Sequence, residues 1–370
     1  MADRTLSEAT GELERRVAEG VADREDLLRL AEAYRESGQA NQAAELLESH
    51  LKKGTPDWEA CRLCVDCHRE AGRMEDAVRI LNRWASLYRD RAQFWILRGL
   101  MLEEMGDWQS ALNEHALAAR ISPHMAEAHY RQAIVYMHIE RYEDAVRAFQ
   151  QTLKLKPRLI PALINLGLTR EAMDEVQEAR QCFERVLSID PRCAEAHLNL
   201  GALMGEQGQY EAAFEHFNQA LTLDPQSSEA AYNAGLALLQ HEPERAGRYF
   251  QHAVKVDRHN LDAHHQLGLI AQRQGKWNLA IEMFRTVTDA DPSRIESLFA
   301  MGVCFSKADR PADAIGVFRR LLELAPDNAD AWFYLGLSYD KKGDSQSARE
   351  AYRKADESGR KARQGRQGRA

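Results

Sequence analysis

The stretch AEAHLNLGALMGEQGQYEAAFEHFNQALTLDP (194–225) returns as PALINLGLTREAMDEVQEARQCFERVLSIDP (161–191) and again as DAHHQLGLIAQRQGKWNLAIEMFRTVTDADP (262–292). The interval is 34 residues, and self-similarity at such a period constrains a chain more than any local propensity, because it makes the fold an array of one small unit. A frame laid on the prolines gives ten repeats, starting at residues 24, 58, 92, 126, 160, 194, 228, 261, 295 and 329; the one at 228 is a residue short around HEPE (241–244). Position 8 is small in nine repeats: Ala31, Gly99, Ala133, Gly167, Gly201, Gly235, Gly268, Gly302 and Gly336. Position 20 is alanine throughout once the deletion is allowed for, from Ala43 to Ala348. Position 24 is large (Phe149, Phe183, Phe217, Phe250, Phe284, Phe318, Tyr352), and these rings are expected to fill the space between neighbouring repeats. Position 32 carries Pro123, Pro157, Pro191, Pro225, Pro292 and Pro326, none of which can continue a helix.

This pattern resembles the tetratricopeptide repeat over nearly the whole chain. The resemblance implies an all-α fold, a right-handed α-α superhelix of about ten helix-turn-helix repeats, with first helices on the concave side and second helices outside. One such hairpin cannot bury its apolar face alone, so repeats stack on a shared core. Turn glycines are expected at Gly38, Gly72, Gly106, Gly208, Gly275 and Gly343. The frame divides the chain into residues 1–23 (a helix over 6–19 acting as a half-repeat cap), the array at 24–357, and 358–370. That last stretch, with five basic residues and no bulky apolar one, is expected to be a disordered tail.

CRLCVDCH (61–68) contains the C-x-x-C-H of haem attachment, and Cys61, Cys64, Cys67 and His68 also invite a metal reading. In the frame they fall at positions 4, 7, 10 and 11 of a first helix, within about 120° of one face, and 4, 7 and 11 normally point inward. Core packing is therefore the favoured reading, metal or haem binding a minor alternative, and no cofactor is expected. Small residues at 4 and 7 beside Val65 at position 8 and Trp84 at position 27 suggest a volume-compensated repacking. His129, His197 and His264 share position 4 and read as packed side chains. No phosphate-binding Gly-rich loop, H-E-x-x-H or G-x-S-x-G is present, so no enzyme activity is expected.

In such arrays, partner contacts fall on the first helices at positions 2, 5, 6, 9, 12 and 13. Position 6 is Asn165, Asn199 and Asn233 in three consecutive repeats. An amide both donates and accepts, so a row of them suits an extended peptide backbone. The row is similar to the asparagine ladder of the superhelical domain in O-linked N-acetylglucosamine transferases, whose peptide-holding mode alone carries over, and only to these three residues. Tyr130, Leu198, Tyr232 and His265 at position 5 are the expected side-chain contacts. Packing between adjacent first helices is the competing account of that stripe. Position 13 changes sign, from Glu36, Glu70 and Glu104 to Arg273, Lys307 and Lys341, which would orient a bound segment, with Arg273 a contact. The carboxylate clamp of chaperone-docking repeats is absent, since no repeat pairs Lys at 5 with Asn at 9.

The expected function is a protein–protein interaction scaffold or adaptor holding an extended segment in its groove; self-association as an assembly scaffold is the alternative, and homo-oligomers remain open. A net charge of −8, from 49 basic and 57 acidic residues, disfavours nucleic acid. No run is long and apolar enough for membrane insertion, no secretory h-region opens the chain, and six cysteines without a disulfide spacing point to the cytoplasm.

Overall fold

The computed structural model describes residues 2–53 and 57–367. Among them the chain is all-α, twenty-one helices and no strand, arranged in two compact bodies, Met1–Ile189 and Asp190–Ala370. In the first body α1 (Ala2–Ala18) precedes five hairpins. Their first helices are α2 (Arg24–Glu36), α4 (Trp58–Glu70), α6 (Ala92–Glu104), α8 (Ala126–His138) and α10 (Ile160–Ala172). Their second helices are α3 (Ala40–Lys53), α5 (Met74–Trp84), α7 (Trp108–Ile121), α9 (Tyr142–Leu155) and α11 (Val176–Ile189). In the second body the first helices are α12 (Ala194–Glu206), α14 (Ser228–Leu238), α16 (Leu261–Arg273), α18 (Ile295–Lys307) and α20 (Ala329–Lys342). They alternate with α13 (Tyr210–Leu223), α15 (Pro243–Val256), α17 (Trp277–Ala290), α19 (Pro311–Leu324) and α21 (Ser345–Gln367).

Local chemistry sets these boundaries. Asp23, Asp57, Ser227, Asn260 and Asn328 cap first helices by accepting from backbone N–H groups of the opening turn. Position 15, which joins the two helices of a repeat, has a left-handed backbone. Gly38, Gly72, Gly106, Gly208, Gly275 and Gly343 supply it at φ between 70° and 83°. Where glycine is missing, Glu140, Asp174 and Asp309 take the same conformation at φ 58°, 61° and 56°. The short repeat instead ends its first helix early, and Pro243 opens α15 at a position where its missing N–H costs nothing.

The packing rule of the hairpin is a ring over a glycine. Phe183 lies on Gly167, Phe217 on Gly201, Phe250 on Gly235, Phe284 on Gly268, Phe318 on Gly302 and Tyr352 on Gly336, so close that a Cβ on each glycine would fall 2.6–2.7 Å from the ring. The position-24 ring thus fills the interior of its own repeat, where the sequence suggested a filler between repeats. It also meets the position-5 aromatic of the same hairpin, with centroids 6.0 Å apart for Tyr130–Phe149 and 5.6 Å for Tyr232–Phe250.

The repeat at 58–91 breaks the rule in a compensated way. Val65 and Leu81 are both fully buried, so a smaller residue at position 24 makes room for a larger one at position 8. Trp84 ends α5 half-buried and packs against this core, as expected, with the Arg83 guanidinium 5.3 Å from its ring. Helix α21 continues to Gln367, through most of the 358–370 segment expected as a disordered tail; residues 368–370 lie outside the described residues, as does Met1 of the 1–23 segment. No described helix is long and apolar enough to cross a membrane.

Candidate functional site

Cys61, Cys64 and Cys67 are wholly buried, and His68 is 1% exposed. Burial pushes the Cys61 thiol up to about 12 and the Cys67 thiol to about 11, with Cys64 raised further, so the thiolates a metal needs are strongly disfavoured. Cys64 Sγ lies 3.7 Å from the Ala44 carbonyl, and His68 Nε2 lies 2.9 Å from Glu48. Among the described residues no three His, Cys, Asp or Glu side chains converge as ligands.

Position 4 has one recurring task. Its ring N–H donates to the carbonyl six residues earlier: Trp95 to Arg89 (2.8 Å), His129 to Pro123 (2.9 Å), His197 to Pro191 (3.3 Å), His264 to Arg258 (3.3 Å) and Trp332 to Pro326 (2.8 Å). The histidines there stand in for tryptophan by tying the first helix to the turn before it.

His68 and His265 also titrate in a predictable way. Burial lowers both below the ordinary 6.5, helped by Arg73 and Arg294 respectively and opposed by Glu48 beside His68 and by Glu296 and Asp262 beside His265. The unfolded chain therefore takes protons near pH 6.5 that the folded chain refuses. Stability is expected to fall as pH drops through 6.5 toward the folded values. Urea midpoints at pH 7.5 and 5.5, with NMR titration of the two rings, check this; a midpoint that holds or rises at the lower pH contradicts it.

The expected contact residues fall into three groups. In the first body, Asn165 Nδ2 donates to Tyr130 Oη (3.1 Å) and to the Pro161 carbonyl (2.9 Å), linking α10 to α8. In the second body, His265 Nδ1 lies 2.7 Å from Ser297 Oγ, so it ties α16 to α18, and Tyr232 bonds Gln266 of the following first helix. These position-5 groups serve the stack itself, as the packing account required. Asn199 and Asn233 differ: both are half-exposed on α12 and α14, and among the described residues neither amide has a side-chain hydrogen bond within the protein. Leu198 is half-buried beside Asn199, and Arg273 is exposed at the end of α16.

Asn233 opens into a cavity of about 390 Å³, shared with Ala202, Gly205, Phe217, Leu236 and Tyr210 and rimmed by Glu206. Leu236 and Tyr210 are 38% and 39% exposed, so this part of the second body presents apolar surface beside an open amide. Tyr210, at position 17, was not among the expected contacts; the aromatic residues Trp108, Tyr142 and Trp277 at the same position elsewhere are the signal that marks it. On the acidic side of position 13, Arg35 lies 3.6 Å from Glu70 and Arg69 3.6 Å from Glu104, so each carboxylate already has a cation from the preceding repeat.

Comparison with known proteins matches this architecture. Tetratricopeptide-repeat models fit residues 34–101, 126–159, 158–226 and 205–254, together more than half of the chain, and the middle TPR-like domain of cilia and flagella-associated protein 70 fits 239–357. Tetratricopeptide repeat protein 17 from Danio rerio is 38% identical over 55 residues, and its human counterpart 36%. Each alignment covers 15% of this chain and 5% of the relative, so the chain spans only a small part of those proteins. The structure of pilF from Pseudomonas aeruginosa superposes with a TM-score of 0.50 at 20% identity, covering 60% of this chain and 97% of that one. Repeats of this kind are protein–protein interaction scaffolds, generally without enzymatic activity, and the chain belongs to the tetratricopeptide-repeat family.

Proposed function

We propose that the chain holds an extended segment of a partner protein along its first helices. The open amides of Asn199 and Asn233 engage the segment's backbone, and an apolar side chain lodges beside Leu236 and Tyr210. The observation that carries this reading is the 390 Å³ cavity in which an unpaired amide stands among apolar side chains, the combination that fixes a backbone and anchors a side chain at once. Leu198 and Arg273, on the same body, add contacts to the segment's side chains, while Asn165, Tyr130, Tyr232 and His265 tie neighbouring first helices together. A protein partner is also favoured by the net negative charge, and a reducing, cytoplasmic setting by six cysteines that are all free.

The test is a partner captured by the full chain, its bound segment mapped, and that segment titrated against wild type and Asn199→Ala/Asn233→Ala. Two amide contacts at about 1 kcal/mol each predict roughly a tenfold or greater loss of affinity with the melting temperature unchanged. Unchanged affinity would sink the amide-held backbone. Asn165→Ala is a poorer probe, because it also removes the hydrogen bond that links α10 to Tyr130 on α8 and is expected to lower stability.

A further inference from the structure

Among the described residues, every glycine within a first helix lies under a side-chain ring except Gly205. His115 covers Gly99, and a Phe or Tyr ring covers each position-8 glycine from Gly167 to Gly336. Gly205 stands one turn beyond Gly201 on α12, at position 12, and a Cβ there would meet only Ala213 Cβ, at 3.9 Å. Residues four apart share a helix face, so Gly201 and Gly205 present two bare stretches of backbone in line. Phe217 covers the first, and the second is a wall of the 390 Å³ cavity beside Asn233.

Two truncations on α12 make that room. Position 12 carries a side chain in every other repeat, among them Arg35, Met137, Glu171 and Gln272. Position 9 is Leu168, Leu236, Leu269 or Val303 in neighbouring repeats, where α12 has Ala202. Ala202 and Gly205 are both half-exposed, so the bare backbone is reached from solvent. The Phe217 and Tyr210 rings and Leu236 supply the apolar walls, and the polar lining groups are Asn233 and Glu206. Neither of these is buried, so neither is cut off from an occupant.

We propose that this cavity takes an aromatic side chain of the partner segment, its ring laid on the Gly205 backbone as Phe217 lies on Gly201. The inference rests on the reading that a segment is held at the open amides, and it adds the class of residue that the segment carries there. A planar ring meets a backbone without Cβ over its whole face. A saturated ring of the same carbons touches it only through its outermost hydrogens, so the site selects for flatness rather than for hydrophobicity.

The test titrates the full chain with N-acetyl-phenylalanine N-methylamide and with its cyclohexylalanine analogue, which keeps the same backbone amides and the same ring carbons. The Leu236 methyls and the Gly205 and Asn233 amides are the NMR reporters. Saturable shifts are expected, with the phenylalanine probe bound ~5-fold or more tightly although the saturated ring is the more hydrophobic. Gly205→Met, which puts a sibling's side chain where the ring would lie, should abolish binding. It replaces a helix glycine at an unobstructed position by a better helix former, so the fold is expected to persist. Equal or tighter binding of the cyclohexyl probe overturns the proposal, as does wild-type affinity in a folded Gly205→Met protein, or no saturable shift with either probe. If that variant does not fold, the comparison of the two probes on wild type still decides. Asn199→Ala/Asn233→Ala separates this inference from the reading beneath it, and is expected to weaken both probes while keeping their ratio. A kept ratio at wild-type affinity retains the aromatic anchor and discards the amide-held backbone; weakened binding of two probes that wild type does not distinguish discards the anchor and retains the amides.

Discussion

Gly302→Val is expected to destabilise the second body by about 2–3 kcal/mol, seen as a lower urea midpoint of that body's unfolding transition. A Cβ at Gly302 would stand 2.7 Å from both Cε1 and Cζ of Phe318, and Phe318 is fully buried, with no solvent side to retreat to. Valine's helix propensity exceeds that of glycine, so the loss is steric. The chain contains its own controls. Ala133 coexists with a buried Phe149, so one methyl is absorbed, whereas Val65 occurs only opposite Leu81. Phe318→Leu alone is expected to cost about 1 kcal/mol, and in Gly302→Val/Phe318→Leu the two losses should be clearly less than additive. Full additivity would mean that the ring and the glycine are not a packing pair.

That pair shows how far the sequence could be followed. The alternation of small and large residues at positions 8 and 24 was visible, and so were the turn glycines, because both recur every 34 residues. The repeat to which the ring belongs was not visible. A residue on a second helix can face its own hairpin or the next one, and periodicity is the same for both. The non-glycine turns at Glu140, Asp174 and Asp309 were hidden for a related reason: the backbone conformation is conserved across repeats while the residue suited to it is not.

The contact residues were legible as a row but not as partners. Asn165, Asn199 and Asn233 are equivalent in the frame, yet only Asn165 is engaged, because only its preceding repeat places a tyrosine hydroxyl within reach; before Asn199 and Asn233 position 5 is Ile164 and Leu198. One side chain thus decides whether an amide serves the stack or stays open.

Glu103→Met should cost about 3 kcal/mol, although the substitution conserves volume and Met137 occupies the equivalent position one repeat on. His115 takes the place of the position-24 ring over Gly99, is wholly buried, and keeps Nε2 2.6 Å from Glu103 Oε1. Its Nδ1 already has no partner. Removing the carboxylate would leave both ring nitrogens unpaired in the core, a desolvation cost that nothing offsets. His115→Phe alone restores the ring of the sibling repeats but strands a carboxylate that is only 12% exposed, so a smaller loss is expected. The double variant Glu103→Met/His115→Phe removes both polar groups at once and puts the usual ring over Gly99. Its stability should return to within about 1 kcal/mol of wild type or exceed it, because a buried polar pair is costly to break and inexpensive to replace whole. Denaturant unfolding of the four proteins measures the coupling. A double variant as unstable as Glu103→Met would show that the pair itself, rather than the loss of one partner, holds this repeat together.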